Sequence, residues 1–193
     1  MKSPIETFSE WVKNGKDDGM EKNHYEPVSK IIELINSTEN KFNIIDAGCG
    51  NGWAVRLVAN EKNCKSACGV DGSQLMIQKA KKNDPINNYI HANLNTWNPI
   101  TKVDVVMSDM AVNTTGIKNI DSIQTGELCI EAMLFAKNLL KSNGFFVSKI
   151  FLGGTFNEIV AQGKKYFKEV KVFKPKSSRK DSKESFIICQ KIR

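Results

Sequence analysis

Asn43-Ile44-Ile45-Asp46-Ala47-Gly48-Cys49-Gly50-Asn51-Gly52 is the stretch on which the fold turns. A short apolar run ends in an acid and passes at once into glycines at every second position. Such a run reads as a buried strand. Glycines at 48, 50 and 52 permit a tight turn and close approach of a ligand to the backbone. A helical stretch is expected from about Trp53 to Asn60, and its start offers free N–H groups suited to an anion. Strand, glycine loop and helix in this order open a doubly wound α/β sheet, in which ligands bind beyond the C-terminal ends of the strands.

Outward from this unit the same alternation continues. Ser66–Asp71 reads as a second strand, after which Ser73 caps a helix to about Lys82. Tyr89–Ala92 and Val103–Ser108 read as third and fourth strands. A long helix is expected from about Asp121 to Lys141, stopped by Asn143-Gly144, a usual C-terminal signal. Phe145–Phe151 follows as a fifth strand, and Thr155–Tyr166 as a helix. Val170–Phe173 and Phe186–Gln190, with no helix between them, are expected to pair antiparallel at one sheet edge. The expected fold is therefore doubly wound α/β: a mostly parallel, seven-stranded sheet with helices on both faces and an antiparallel last strand. It forms one domain over 1–193, with a helical segment at 1–42 and halves at 43–100 and 101–193.

Composition sets bounds on function. The 193 residues are 40% hydrophobic and 25% charged, which suits a soluble globular domain of ordinary size. No run approaches the ~20 apolar residues of a membrane span, and the N-terminus has no signal-like apolar run. Cysteines stand at 49, 64, 68, 129 and 189, with no CxxC pair. Cys64 and Cys68 lack a second ligand pair at zinc spacing, so no metal is expected. Five free thiols suit a reducing cytoplasm, the expected location.

The net charge is +7, and its distribution is uneven. Residues 1–100 carry twelve Lys/Arg and twelve Asp/Glu, whereas 101–193 carry sixteen against nine. Within 164–193 there are eleven basic residues against three acids. Such a tail is either the footprint of a polyanion-binding face or a solvated basic surface.

A GxGxG loop alone serves NAD, FAD and S-adenosylmethionine sites alike. Here the loop is Asp46-Ala47-Gly48-Cys49-Gly50-Asn51-Gly52, with the acid at the strand end, and a second acid, Asp71, closes the second strand. This order resembles class I S-adenosylmethionine-dependent methyltransferases. The resemblance implies that Asp46, Gly48, Gly50, Gly52 and Trp53 line the cofactor and that Asp71 accepts the ribose hydroxyls. That family usually has an acid for the adenine amino group after the third strand; Asn93 stands there instead and can accept without charge. A dinucleotide enzyme, or a purely structural turn, is the alternative reading.

The run Ser108-Asp109-Met110-Ala111-Val112-Asn113-Thr114-Thr115-Gly116 resembles the segment after the fourth strand in FtsJ-type heat-shock methyltransferases, which modify a ribose 2′-hydroxyl of large-subunit ribosomal RNA. Phe146-Val147-Ser148-Lys149-Ile150-Phe151 resembles their lysine-bearing fifth strand. Lys174-Pro175-Lys176-Ser177-Ser178-Arg179, with Ser182-Lys183-Glu184-Ser185-Phe186, resembles their C-terminal segment. The resemblance covers 103–193 and implies a Lys-Asp-Lys-Glu tetrad. Asp109, Lys149 and Glu184 fill three places, and Asp109 also adjoins the cofactor. Lys30, in Ser29-Lys30-Ile31-Ile32-Glu33, is the candidate for the fourth; an ordinary surface lysine is its alternative. Lys149 would act as general base, Asp109 and Glu184 would orient it, and Lys30 would stabilise the developing oxyanion.

Residues 1–100 instead resemble small-molecule class I methyltransferases, so the chain reads as a mosaic joined near Trp97–Lys102. The family's basic N-terminal arm is missing. RNA binding would then rest on the basic 164–183 segment, through Lys164, Lys165, Lys168, Lys171, Lys174, Lys176, Arg179 and Lys180. An RNA 2′-O-methyltransferase is the leading reading. Two others stay open: a small-molecule methyltransferase contacting substrate through His24 and Tyr25, and a non-catalytic RNA- or ribosome-binding protein.

Overall fold

The computed structural model describes residues 4–36, 40–97, 101–110, 118–174 and 184–193. It divides into two compact units, Met1–Trp97 and Asn98–Arg193.

The first unit begins with α1 (Pro4–Lys13), a short 3-10 turn at Lys16–Gly19 and α2 (Met20–Asn36). Strands β1 (Phe42–Ala47), β2 (Cys64–Asp71) and β3 (Asn88–His91) alternate with α3 (Trp53–Ala59) and α4 (Gln74–Asn83). The strands are parallel in the order β3-β2-β1, with Asp46 opposite Gly69 and Asp71 opposite His91. Both acids therefore end their strands on the same side, as parallel pairing requires. Ile44, Ile45 and Ala47 are buried, as is Val70. Ser73 caps α4 by accepting the Met76 N–H at 3.4 Å, as its position before the helix predicts.

In the second unit, β4 (Val103–Ser108) lies parallel to β5 (Leu140–Phe151), with α5 (Lys118–Leu139) between them in sequence. α6 (Phe156–Tyr166) leads to β6 (Phe167–Phe173), and β7 (Glu184–Ile192) closes the chain. β7 inserts between β5 and β6 and is antiparallel to both, giving the order β4-β5-β7-β6. The fold is thus the expected doubly wound α/β type, a seven-stranded, mostly parallel sheet flanked by helices.

The end of α5 differs from expectation. The helix stops at Leu139, and β5 begins at once at Leu140, with its register against β4 shifting between Val103 and Val105. Gly144 is not a left-handed cap, since it lacks a positive φ. A side chain there would meet the Asp104 carbonyl oxygen at 2.9 Å, so close backbone approach is what requires glycine.

Among the described residues no helix is long and apolar enough to cross a membrane, and the five cysteines are unbridged.

Candidate active site

The glycine loop of the first unit is built from backbone constraints. Gly48, Gly50 and Gly52 take φ values of 76°, 54° and 77°, which L side chains rarely adopt. The loop turns back over the end of β2, where Gly48 and Cys49 donate to the Val70 carbonyl at 2.8 and 3.1 Å. Asp71, 8% exposed, holds it there: one carboxylate oxygen accepts from Gly50 N–H at 2.9 Å, the other from Ser73 N–H at 2.7 Å. Burial pushes the Asp71 carboxyl up, and these two backbone bonds oppose the push. Asp46 is buried at the end of β1. Cys49, inside the loop, has its thiol pushed well up by burial and by the carboxylates of Asp71 and Asp46, so it stays protonated and inert.

These groups suit the amino-acid and ribose parts of S-adenosylmethionine. A carboxylate offers about four lone-pair sites. Asp71 spends two on the loop and retains acceptor capacity for ribose hydroxyls. Trp53 starts α3 and is buried. Asn93 is exposed, and its side-chain oxygen accepts from Asn95 N–H at 2.9 Å, leaving one lone pair for an adenine amino group.

Tyr89 and Asp84 form a support that sequence reading missed. A side chain at Gly52 would meet the Tyr89 ring at 2.5 Å. The Tyr89 hydroxyl donates to Asp84 at 2.7 Å and so fixes the ring beneath the loop. Burial pushes the Asp84 carboxyl up, but the Asn87 side chain, the Tyr89 hydroxyl and two backbone N–H groups outweigh it and hold the carboxyl at about 2. A depressed folded pKa contributes stability above the unfolded value of roughly 4, and loses it as pH falls toward about 2. Tyr89→Phe removes one of these bonds. It is expected to cost about 1 kcal/mol at pH 7, and less at pH 2, where Asp84 is half protonated. Thermal denaturation at the two pH values checks this; an equal loss at both would show that Asp84 is not the partner that matters.

The catalytic candidates of the second unit meet where β4 and β5 end. Ser108 stands opposite Ser148, so Asp109 and Lys149, each the next residue, come together. Lys149 Nζ lies 2.7 Å from Asp109 Oδ1, with side-chain exposures of 1% and 18%. A buried ammonium is costly unless paired. On β7, Phe186 is opposite Lys149 and Glu184 is opposite Phe151. Position 184 is therefore a diagonal neighbour of Lys149, within reach of a long side chain. The Glu184 side chain itself lies outside the described residues, as do Ala111 to Gly116.

Lys30 behaves differently. Its side chain is 43% exposed on α2 and pairs with Glu33 at 3.0 Å, one turn along the helix.

The basic segment spreads along β6. Lys149, Phe186 and Phe173 form one row across three strands, so the backbone at Phe173 is about 10 Å from that at Lys149. Phe167, at the other end of β6, is about 20 Å farther down the strand. Lys171 and Lys174, both exposed, thus belong to the end near Lys149, and Lys164, Lys165 and Lys168 to the far end. Lys137 and Lys165 lie 4.6 and 5.3 Å from the centre of the Tyr166 ring at that far end. Lys176, Arg179 and Lys180 lie outside the described residues.

A family model for FtsJ-like methyltransferases matches residues 28–192, a span that takes in α2 and the glycine loop as well as the catalytic candidates. Over 93 residues, 48% of this chain and 46% of the relative, the sequence is 75% identical to ribosomal RNA large subunit methyltransferase E of Pelagibacter ubique. The chain spans about half the length of the curated relatives it matches. A solved structure from Plasmodium falciparum, assigned as a ribosomal RNA methyltransferase, superposes with a TM-score of 0.63 at 25% identity, covering 86% of this chain and 96% of that one. The N-methyltransferase NodS of Bradyrhizobium japonicum, solved with S-adenosyl-L-homocysteine, shares the fold alone: TM-score 0.65, 13% identity, 86% of each chain. With the glycine loop, the acid-ended strands and the buried Lys149–Asp109 pair in place, and with the model matching most of its length, the chain belongs to the FtsJ-like methyltransferase family.

Proposed function

We propose that this protein is an S-adenosylmethionine-dependent methyltransferase acting on a ribose 2′-hydroxyl of large-subunit ribosomal RNA. The observation that carries this reading is the ammonium of Lys149, 1% exposed and paired with Asp109 where β4 and β5 end. Family membership supports it, as does the name of the Pelagibacter relative.

S-adenosylmethionine, when bound, supplies a methyl carbon already activated by a sulfonium. The protein's own work is to hold the cofactor and to manage a proton. Asp46 receives the amino-acid end, the Gly48–Gly52 loop and Trp53 enclose it, Asp71 takes the ribose hydroxyls and Asn93 the adenine. A ribose hydroxyl is a poor nucleophile until its proton leaves, and Nζ of Lys149 in its neutral form takes that proton. Asp109 orients Nζ, and Glu184 assists from the diagonal position on β7. Lys30 would have to exchange Glu33 for the substrate to stabilise an oxyanion.

RNA is gripped through phosphates by the basic segment. Lys171 and Lys174, at the end of β6 nearest Lys149, serve the phosphates flanking the target. Lys171→Ala/Lys174→Ala is expected to weaken RNA binding about ten-fold and to lower the salt slope by about 2, roughly one per phosphate contact. Lys164→Ala/Lys165→Ala should do less. Filter binding at several salt concentrations checks the order, and a larger effect at the far pair would reverse this assignment.

The direct test is transfer of labelled methyl groups to ribosomal subunits, followed by alkaline hydrolysis. A methylated 2′-oxygen blocks cleavage at its 3′ phosphate, so label in an alkali-resistant dinucleotide supports the reading. Label in a free mononucleotide would place the methyl on a base. Cofactor binding with no transfer to RNA would point to a small-molecule substrate.

A further inference from the structure

The N-terminal segment offers the strongest feature that the catalytic reading leaves unused. Asp17, in the short 3-10 turn, is fully buried. A buried carboxylate must be paired. Lys79 of α4 approaches its two oxygens at 2.9 and 2.8 Å, and the Asn51 amide nitrogen donates to Oδ2 and to the Asp17 carbonyl, each at 3.1 Å. Asp17 and Asp18 hold the Lys79 ammonium in its charged form, raising its pKa chiefly through hydrogen bonds.

Asn51 lies within the glycine loop, between Gly50 and Gly52. Its side-chain oxygen accepts from Trp53 N–H at 3.3 Å, and its carbonyl accepts from Arg56 at 2.9 Å. A continuous chain of polar contacts therefore runs from α4 through Asp17 to Asn51 and on to the start of α3. Asp71 fixes the loop on one side through Gly50, and Asp17 fixes it on the other through Asn51.

The same N-terminal segment touches the rest of the cradle. A side chain at Gly50 would meet Met20 at 3.3 Å, and one at Gly72 would meet Ile5 at 2.8 Å. Ser9 and Ser73 hydroxyls are 2.8 Å apart, and Ser73 N–H is one of the two donors on Asp71. These three contacts land on the loop and on the Gly72-Ser73 turn that follows β2, next to Asp71.

We propose that residues 4–20 form a cap over the cofactor cradle, latched by Asp17, and that Asp17 is a positioning residue for cofactor binding through Asn51. This rests on the reading of the cradle as an S-adenosylmethionine site. Asp17 touches no reacting atom. Its loss frees Asn51 and loosens the cap, so the cofactor is held less tightly while the chemistry at Lys149 is unchanged.

The test uses the whole chain and S-adenosyl-L-homocysteine as the probe. Calorimetric titration of Asp17→Ala is expected to show at least a ten-fold rise in Kd, with KM for the cofactor rising alike and kcat at saturation within two-fold of wild type. Asp17→Asn, which keeps an acceptor for the Asn51 amide, should recover most of the affinity. Backbone hydrogen exchange on the wild-type protein gives an arm independent of any variant: the probe should slow exchange across residues 5–20. A folded Asp17→Ala with unchanged Kd, or no added protection of 5–20 in the wild type, would overturn the latch. If the wild-type protein does not bind the probe at all, the cofactor reading fails first and the latch with it.

Discussion

Lys149→Ala is expected to lower methyl transfer by about 10³-fold, within the range of a lost general base, while S-adenosyl-L-homocysteine binds within three-fold of wild type. Lys149 stands on β5 of the second unit, whereas the glycine loop and Asp71 belong to the first, so the cofactor cradle keeps all its bonds. The substitution also removes the partner of Asp109. Breaking a buried ion pair costs about 3–5 kcal/mol, so lost activity alone would not separate chemistry from folding. The double variant Lys149→Met/Asp109→Leu separates them. Replacing both charges by apolar groups of similar volume should restore most of the stability and none of the activity. Single-turnover transfer beside thermal denaturation gives both quantities. A stable double variant that still methylates RNA at more than a tenth of the wild-type rate would remove Lys149 from the base role.

Asp71→Ala should weaken cofactor binding by at least a hundred-fold. Two backbone donors, Gly50 N–H and Ser73 N–H, converge on its carboxylate in a site that is 8% exposed. Each buried donor left without an acceptor costs about 1–3 kcal/mol, which the loop escapes only by moving. The proposed acceptor for the ribose hydroxyls is lost as well. Asp71→Asn is expected to be nearly as damaging. An amide offers one oxygen and one NH2, so one of the two backbone N–H groups would face another donor. Calorimetry decides the matter: an Asn variant near wild-type affinity would mean that only one of the two observed bonds matters.

The two variants differ in a useful way. Asp71→Ala should fail in cofactor binding and Lys149→Ala in transfer, whereas Asp17→Ala should be rescued by saturating cofactor. These three outcomes place the cradle, the base and the cap on separate axes.

Much of this was legible in the residues themselves. The positive φ at Gly48, Gly50 and Gly52 was readable because only glycine occupies that region freely. β4 was readable to the residue, since an apolar run bounded by turn signals is a local pattern. Asp109 and Lys149 were legible through family resemblance rather than physics: nothing in an apolar strand says that its lysine will be buried. The reading of Gly144 as a helix stop failed because glycine marks both left-handed caps and close approaches, and only the Asp104 carbonyl oxygen, 2.9 Å from where a Cβ would stand, distinguishes them.

Local backbone chemistry, then, lay in the sequence: strand ends, the Ser73 cap, the glycine turn and the alternation that builds the sheet. The pairings around Asp17 lay in the tertiary structure alone. Asp17 and Lys79 are 62 residues apart, Asn51 and Asp17 are 34 apart, and no pattern of neighbours announces either contact. Charge burial is decided by what packs around a group once the chain has closed. That is why Asp17 drew no reading from the sequence, why family resemblance singled out Lys149 without showing its burial, and why both emerged as buried partners only when the elements came together.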